Sequence, residues 1–164
     1  MRTIIHDFES NDLKKINFNE EDMVISAREI TEGCVGCFSC WVKHPKECIH
    51  DDNIKNIVDS IKNSDELVII SKCRYGCYSA YVKKVLERCI GYVLPYFTIR
   101  ENRIHHKSRY DERIIFNTYF YGDIDNWDKI CLRALVKANA INLNAFDYRV
   151  NFISSLKELN ECIH

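Results

Sequence analysis

The sequence has no excess of either charge. Its 23 Lys and Arg residues face 24 Asp and Glu, for a formal net charge of −1. That balance excludes the basic field of a nucleic-acid binder and the polybasic tail of a membrane-surface protein. No apolar run approaches the ~20 residues of a membrane span. The N-terminus, MRTIIHDFES, lacks the long apolar core of a signal peptide. No repeat, linker or low-complexity segment divides the chain. The expectation is a single cytoplasmic domain over residues 1–164, with neither nucleic acid nor membrane as partner.

Cysteine is what the chain does have. Nine is a high count for such a protein, and it is odd. Secreted disulfide scaffolds are usually shorter and carry even counts. Reduced thiols are therefore expected. Cys89, Cys131 and Cys162 fall on the apolar side of helical patterns and read as small buried hydrophobes.

Four cysteines lie in one stretch, CVGCFSCWVKHPKEC, from Cys34 to Cys48. Cys34, Cys37 and Cys40 are spaced C-x2-C-x2-C, and Cys48 follows. Thiolates three apart in a loop can converge on one face of a metal cluster, and a fourth from the returning chain completes the set. Gly33 and Gly36 ease the tight backbone that such wrapping needs. Zinc also takes four thiolates, although its usual arrangement is two separated knuckles. Two other readings stand beside these: a loop packed on Trp41, Val42 and Pro45 with buried thiols, and a disulfide or sulfenate switch.

The periodicity gives the frame. Strands are expected at 2–8, 22–30, 65–71, 113–122 and 146–152. Ile54, Ile57, Val58 and Ile61 mark a helix that Asp51 or Asp52 caps. A second helix, capped by Ser79, runs to Pro95. A hairpin is expected over 96–110 with its turn near Glu101-Asn102. A long helix follows 122, and a last helix closes the chain. This alternation implies an α/β three-layer sandwich on a parallel sheet. Ligands of such sheets bind beyond the carboxyl ends of the strands. The loops 8–20, 31–50, 72–79 and 121–126 are then the places to look.

The cysteine string, the DD that opens a helix, and SDELVIISKCRYGCYSAYVKKVLERCIGYVLPYF together resemble the flavodoxin-like NAD(P)H-dependent FMN reductases and iron–sulfur flavoproteins. HHKSRY adds to the likeness. It implies a five-stranded parallel sheet of order 2-1-3-4-5, here with a shortened or missing first helix. It implies FMN across the carboxyl ends of the strands, with NAD(P)H as donor. The isoalloxazine ring would lie on the turn Arg74, Tyr75, Gly76, Cys77, Tyr78 and Ser79, bordered by Tyr121, Gly122 and Asp123. The resemblance also implies a [4Fe–4S] cluster on Cys34, Cys37, Cys40 and Cys48 beside the flavin. Such proteins commonly form homodimers or larger homo-oligomers, and the 95–110 extension is the contact expected here.

Two departures qualify this expectation. Relatives follow the first strand with a Ser/Gly/Arg/Asn/Thr-rich loop and a full helix, whose amides bind the FMN phosphate. Here HDFESNDLKKINFNEED has no Gly and carries Asp7, Glu9 and Asp12, with Lys14 and Lys15 as the nearby cations. Lys46 stands where relatives commonly have Gly. The rival expectation is a non-catalytic flavodoxin-like binding or assembly module that has lost FMN. His105, His106, Lys107, Arg109 and Tyr110 form a basic, aromatic patch that meets phosphates, meets a partner subunit, or is simply a solvated hairpin. Arg88 reads as structural. His44 and His50 read as loop residues near the cysteines.

Overall fold

The computed structural model describes residues 1–111 and 113–163. Its strands, in chain order, are β1 (Arg2–His6), β2 (Met23–Ser26), β3 (Glu66–Lys72), β4 (Val93–Arg100), β5 (Arg103–Ser108), β6 (Ile115–Tyr121) and β7 (Asp147–Phe152). Its helices are α1 (Ser10–Leu13), α2 (Ser39–Val42), α3 (Ile57–Lys62), α4 (Ala80–Arg88), α5 (Asn126–Asn142) and α6 (Leu156–Cys162). Five strands form one sheet in the order β2-β1-β3-β6-β7, and β4 and β5 form a separate hairpin. Every neighbouring pair in the large sheet is parallel. Numbered among themselves, the five strands follow the expected 2-1-3-4-5.

The apolar runs explain the layering. Leu67 to Ser71 are all buried in β3, as a strand covered on both faces requires. Alternate side chains serve opposite layers. Ile5, Leu67, Ile69, Phe116 and Phe120 pack under α3, α4 and α5. Ile4, Val68, Ile70 and Tyr119 pack under α6 and the 8–18 segment. That second layer lacks a full first helix. α1 is one turn, and Glu9 before it makes no side-chain cap. Phe8, Ile16 and Phe18 fill the space instead.

Helix starts follow their caps. Ser79 Oγ accepts the Val82 amide of α4, and Asp125 and Asp128 form a reciprocal capping box on α5. Asp52 does not cap α3. It accepts the Ile54 amide at 3.2 Å in the turn that leads into the helix.

Two boundaries differ from expectation. β2 is short and runs into a 3-10 turn at Ala27–Glu29. α4 ends at Arg88, well before Pro95, and a 3-10 turn follows at Cys89–Tyr92. The turn carries Gly91, whose missing side chain leaves room for Cys40 Cβ and the Lys46 backbone. Pro95 sits inside β4, where the β4–β5 register shifts between Val93 and Phe97. A bulge is one of the few places where a strand accepts a residue without an N–H. The hairpin turns at Glu101-Asn102 as expected, with φ of 47° and 59°, the left-handed pair that suits a two-residue loop.

Candidate functional site

The β3–α4 turn stands at the carboxyl edge of the sheet. Arg74 and Cys77 exchange backbone hydrogen bonds of 2.9 and 3.1 Å. Between them Tyr75 (φ 55°) and Gly76 (φ 66°) make a two-residue turn with both residues left-handed. Tyr75 is fully exposed. Gly76 is pressed on α5, where an added Cβ would lie 2.7 Å from Cys131 Cβ. Burial pushes the nearby Cys73 thiol up.

The rest of the expected ring site divides in two. Tyr78 belongs to the core, with its OH accepting from Asn139 at 3.2 Å and its ring 5.4 Å from Phe120. Burial pushes its phenol up. Ser79 is the α4 cap and donates its amide to Ser71 Oγ. Arg74, Tyr75, Gly122 and Asp123 are exposed at the edge. Gly122 has φ 109° and packs on the Lys72 stem.

Sequence reasoning counted Asp7 among the acidic residues of its loop but gave it no partner. Asp7 follows β1 and is buried. The Lys72 amide donates to both its carboxylate oxygens at 3.1 Å, and the Tyr121 hydroxyl donates at 2.8 Å. Desolvation and the adjacent Asp7 push the Tyr121 phenol up. Arg28 donates to the Asp7 carbonyl at 2.6 Å, pairs with Glu9 and lies over the Tyr81 ring. His6 is stacked between Phe8 and Phe18. Its Nδ1 accepts the Phe8 amide, and burial lowers its pKa to about 4.

The cysteine loop runs down the outside of α4. Lys84 of α4 donates to the Ile30 and Thr31 carbonyls. Farther along, Trp41 Nε1 donates to the Ile90 and Val93 carbonyls at 3.0 Å each. The loop returns through Gly36, Phe38 and Lys46, all at positive φ. Lys46 thus holds the backbone form that a glycine favours, with its ammonium on Asp59 at 2.9 Å.

Cys34, Cys37, Cys40 and Cys48 line one cavity of about 20 Å³ with His50, Arg88 and Ile90. That is room for about one water. Burial, then the neighbouring thiols, pushes the Cys40 thiol up. Among the described residues no group of three or more His, Cys, Asp or Glu side chains is placed to hold a metal ion. The four thiols thus share a void without converging on one ion. Nor do they sit at the carboxyl edge, where loop 31–50 was expected to contribute. Their cavity is at the far end of α4, and nine helical residues rise about 13 Å.

Other expectations resolve separately. Cys89 is buried as expected, Cys131 is half-buried against the β3–α4 turn, and Cys162 is exposed. Cys162 is the last residue of α6. The basic, aromatic patch ties the hairpin down. His106 bonds the Leu94 carbonyl and packs on Trp41, His105 bonds Asn142, and Arg109 donates to the Gly91 carbonyl.

No protein-family model matches the chain, and no curated protein does. Solved structures do. Smu.1420 from Streptococcus mutans UA159 superposes with a TM-score of 0.62 at 10% identity, covering 99% of this chain and 96% of that one. An FMN-dependent NADH-azoreductase from Bacillus anthracis str. Ames Ancestor, in complex with FMN, gives 0.56 at 13% identity, covering 98% and 96%. The fold is flavodoxin-like. No helix among the described residues is long and apolar enough to cross a membrane.

In this flavodoxin-like frame the two halves of a flavin nucleotide fare differently. Tyr75 and Gly122 are both exposed at the edge where a ring would lie. The phosphate would meet acidic groups, with the exposed Lys14 in the same segment. Its expected loop presents Asp7, Glu9 and Asp12. Arg28 is already committed to that same loop, and Lys15 is paired with Asp12 at 3.0 Å.

Proposed function

We propose that the chain is a flavin-dependent redox protein, an NAD(P)H-linked oxidoreductase or electron carrier, with the flavin ring at the carboxyl edge of β3 and β6. The observation that carries this reading is the Tyr75–Gly76 turn. A fully exposed aromatic ring is held in a left-handed conformation that costs energy for a non-glycine residue. Such strain clusters at ligand sites. The cofactor itself would supply hydride or single-electron chemistry. Tyr75 would cover one ring face, and Gly122 would let the backbone approach its edge. The solved FMN-dependent NADH-azoreductase of the same fold supports the reading. Titration with flavin, followed by fluorescence quenching, tests it. Tyr75→Ala weakens binding about tenfold, the size of one aromatic contact. Unchanged affinity would remove Tyr75 from the site.

The iron–sulfur reading of Cys34, Cys37, Cys40 and Cys48 rests on their spacing alone, against a cavity with room for about one water. Iron and acid-labile sulfide, assayed on protein purified without air, decide it. The homodimer is proposed on the β4–β5 hairpin, where Phe97, Ile99 and Ile104 are exposed; light scattering of wild type against Ile104→Lys tests it. A second reading, a non-catalytic module without flavin, is favoured by the buried Asp7. A protein that stays colourless after incubation with flavin supports that reading.

A further inference from the structure

In a doubly wound sheet the ligand crevice opens where the strand order reverses. Here that point lies between β1 and β3, the two strands whose loops leave in opposite directions. Asp7 stands in it. The side chain is buried, spans from β1 to the Lys72 amide at the end of β3, and reaches the Tyr121 hydroxyl at the end of β6. A carboxylate accepting an amide and a hydroxyl makes the contacts that an anionic ligand group would otherwise make.

Several of the surrounding donors are already engaged. The Asp7 amide donates to the Ile70 carbonyl, and the Asp12 and Leu13 amides both donate to the Glu9 carbonyl. The Phe8 amide donates to His6 Nδ1. The guanidinium of Arg28 is shared among the Asp7 carbonyl, Glu9 and the Tyr81 ring. A phosphate dianion brought here would face Asp7 and Glu9, and the Arg28 guanidinium beside them is already shared.

We propose that Asp7 sets the ligand class at the carboxyl edge: its carboxylate fills the place of a ligand's anionic group, so the site accepts a flavin without a phosphate, of riboflavin type, and rejects FMN. This rests on the flavin reading above. Like charges at close range in a partly buried site repel strongly, whereas the ring contacts are the same for both flavins.

The test is a paired titration of the full chain with riboflavin and with FMN, read by flavin fluorescence, for wild type and Asp7→Asn. The variant keeps the shape and an acceptor for the Lys72 amide while removing the charge. The expected result is riboflavin bound at least tenfold tighter than FMN by wild type, with the two within threefold of each other in Asp7→Asn. FMN bound as tightly as riboflavin by wild type overturns the proposal and leaves the flavin reading intact. A wide gap that persists in a folded Asp7→Asn also overturns it. If wild type binds neither flavin but Asp7→Asn binds FMN, Asp7 is the plug and the flavin reading fails. Binding of neither flavin by either protein overturns both. Should Asp7→Asn not fold by circular dichroism, the wild-type ratio decides alone.

Discussion

Arg88 and Asp52 close the cysteine loop from the inside. Arg88 Nη1 and Nη2 donate to the two Asp52 carboxylate oxygens at 2.5 and 2.8 Å. Nη1 also meets the Glu32 carbonyl at 3.3 Å. One guanidinium therefore joins the chain just before Cys34 to the chain just after Cys48. It also stands against the cavity that the four cysteines share.

The two partners are not equivalent to remove. The Arg88 side chain is completely buried, whereas Asp52 retains some exposure. Asp52→Ala leaves a buried cation unpaired and is expected to cost about 3–5 kcal/mol. Arg88→Met leaves a carboxylate that can reach water and is expected to cost less. Urea unfolding of both variants checks the order. Equal costs, or a larger cost for Arg88→Met, contradict this reading of the clamp.

Acid is expected to act in two stages. His6 is neutral in the fold, with a pKa of about 4 against an unfolded value of 6.5. The unfolded chain binds more protons between those values. Stability from this group is full above pH 6.5 and falls by about 3 kcal/mol as the pH drops to 4. Asp52, held below its usual range by the Arg88 hydrogen bonds, adds its loss only below pH 3.8. Urea midpoints at pH 7 and 4.5 should differ in wild type. They should differ much less in His6→Asn, which keeps an acceptor near the Phe8 amide.

Gly76→Ala tests the β3–α4 turn. The new Cβ meets Cys131 Cβ at 2.7 Å and inherits φ 66°. Overpacking and left-handed strain together are expected to cost 2 kcal/mol or more, by order of magnitude. Cys131→Ala keeps the offending Cβ and should not rescue it. Rescue by Cys131→Ala, seen in thermal melts, would place the clash elsewhere.

Thiol accessibility gives an ordered labelling experiment. Cys34, Cys37 and Cys162 are exposed and should be alkylated first. Cys89 is buried, and burial pushes its thiol up to about 12, so it should be labelled last. Mass spectrometry of a timed alkylation reads the order. Early labelling of Cys89 would contradict the packing at the foot of α4.

Much of the frame was legible because it rests on local patterns. The apolar run of β3, the Ser79 cap and the Glu101-Asn102 turn each announce themselves within a few residues. What was not legible depends on register and on contacts distant in sequence. Asp7 reaches the Lys72 amide only because β1 and β3 pair His6 with Ile70. No local spacing shows that. The same holds for the cysteines. Their spacing predicts a shared site, and they do share a cavity, but its place at the far end of α4 follows from where Trp41 and Arg88 anchor the loop. Pro95 misled for a related reason: a proline marks a helix stop, yet here the helix had already ended at the turn that Gly91 permits.

The most direct measurement is the visible absorption spectrum of the protein after incubation with flavin without air and removal of unbound ligand. The expected result is a pair of resolved flavin bands that travel with the protein and are lost or weakened in Tyr75→Ala. A protein that leaves the column colourless, whichever flavin is offered, would contradict a flavin site at the carboxyl edge.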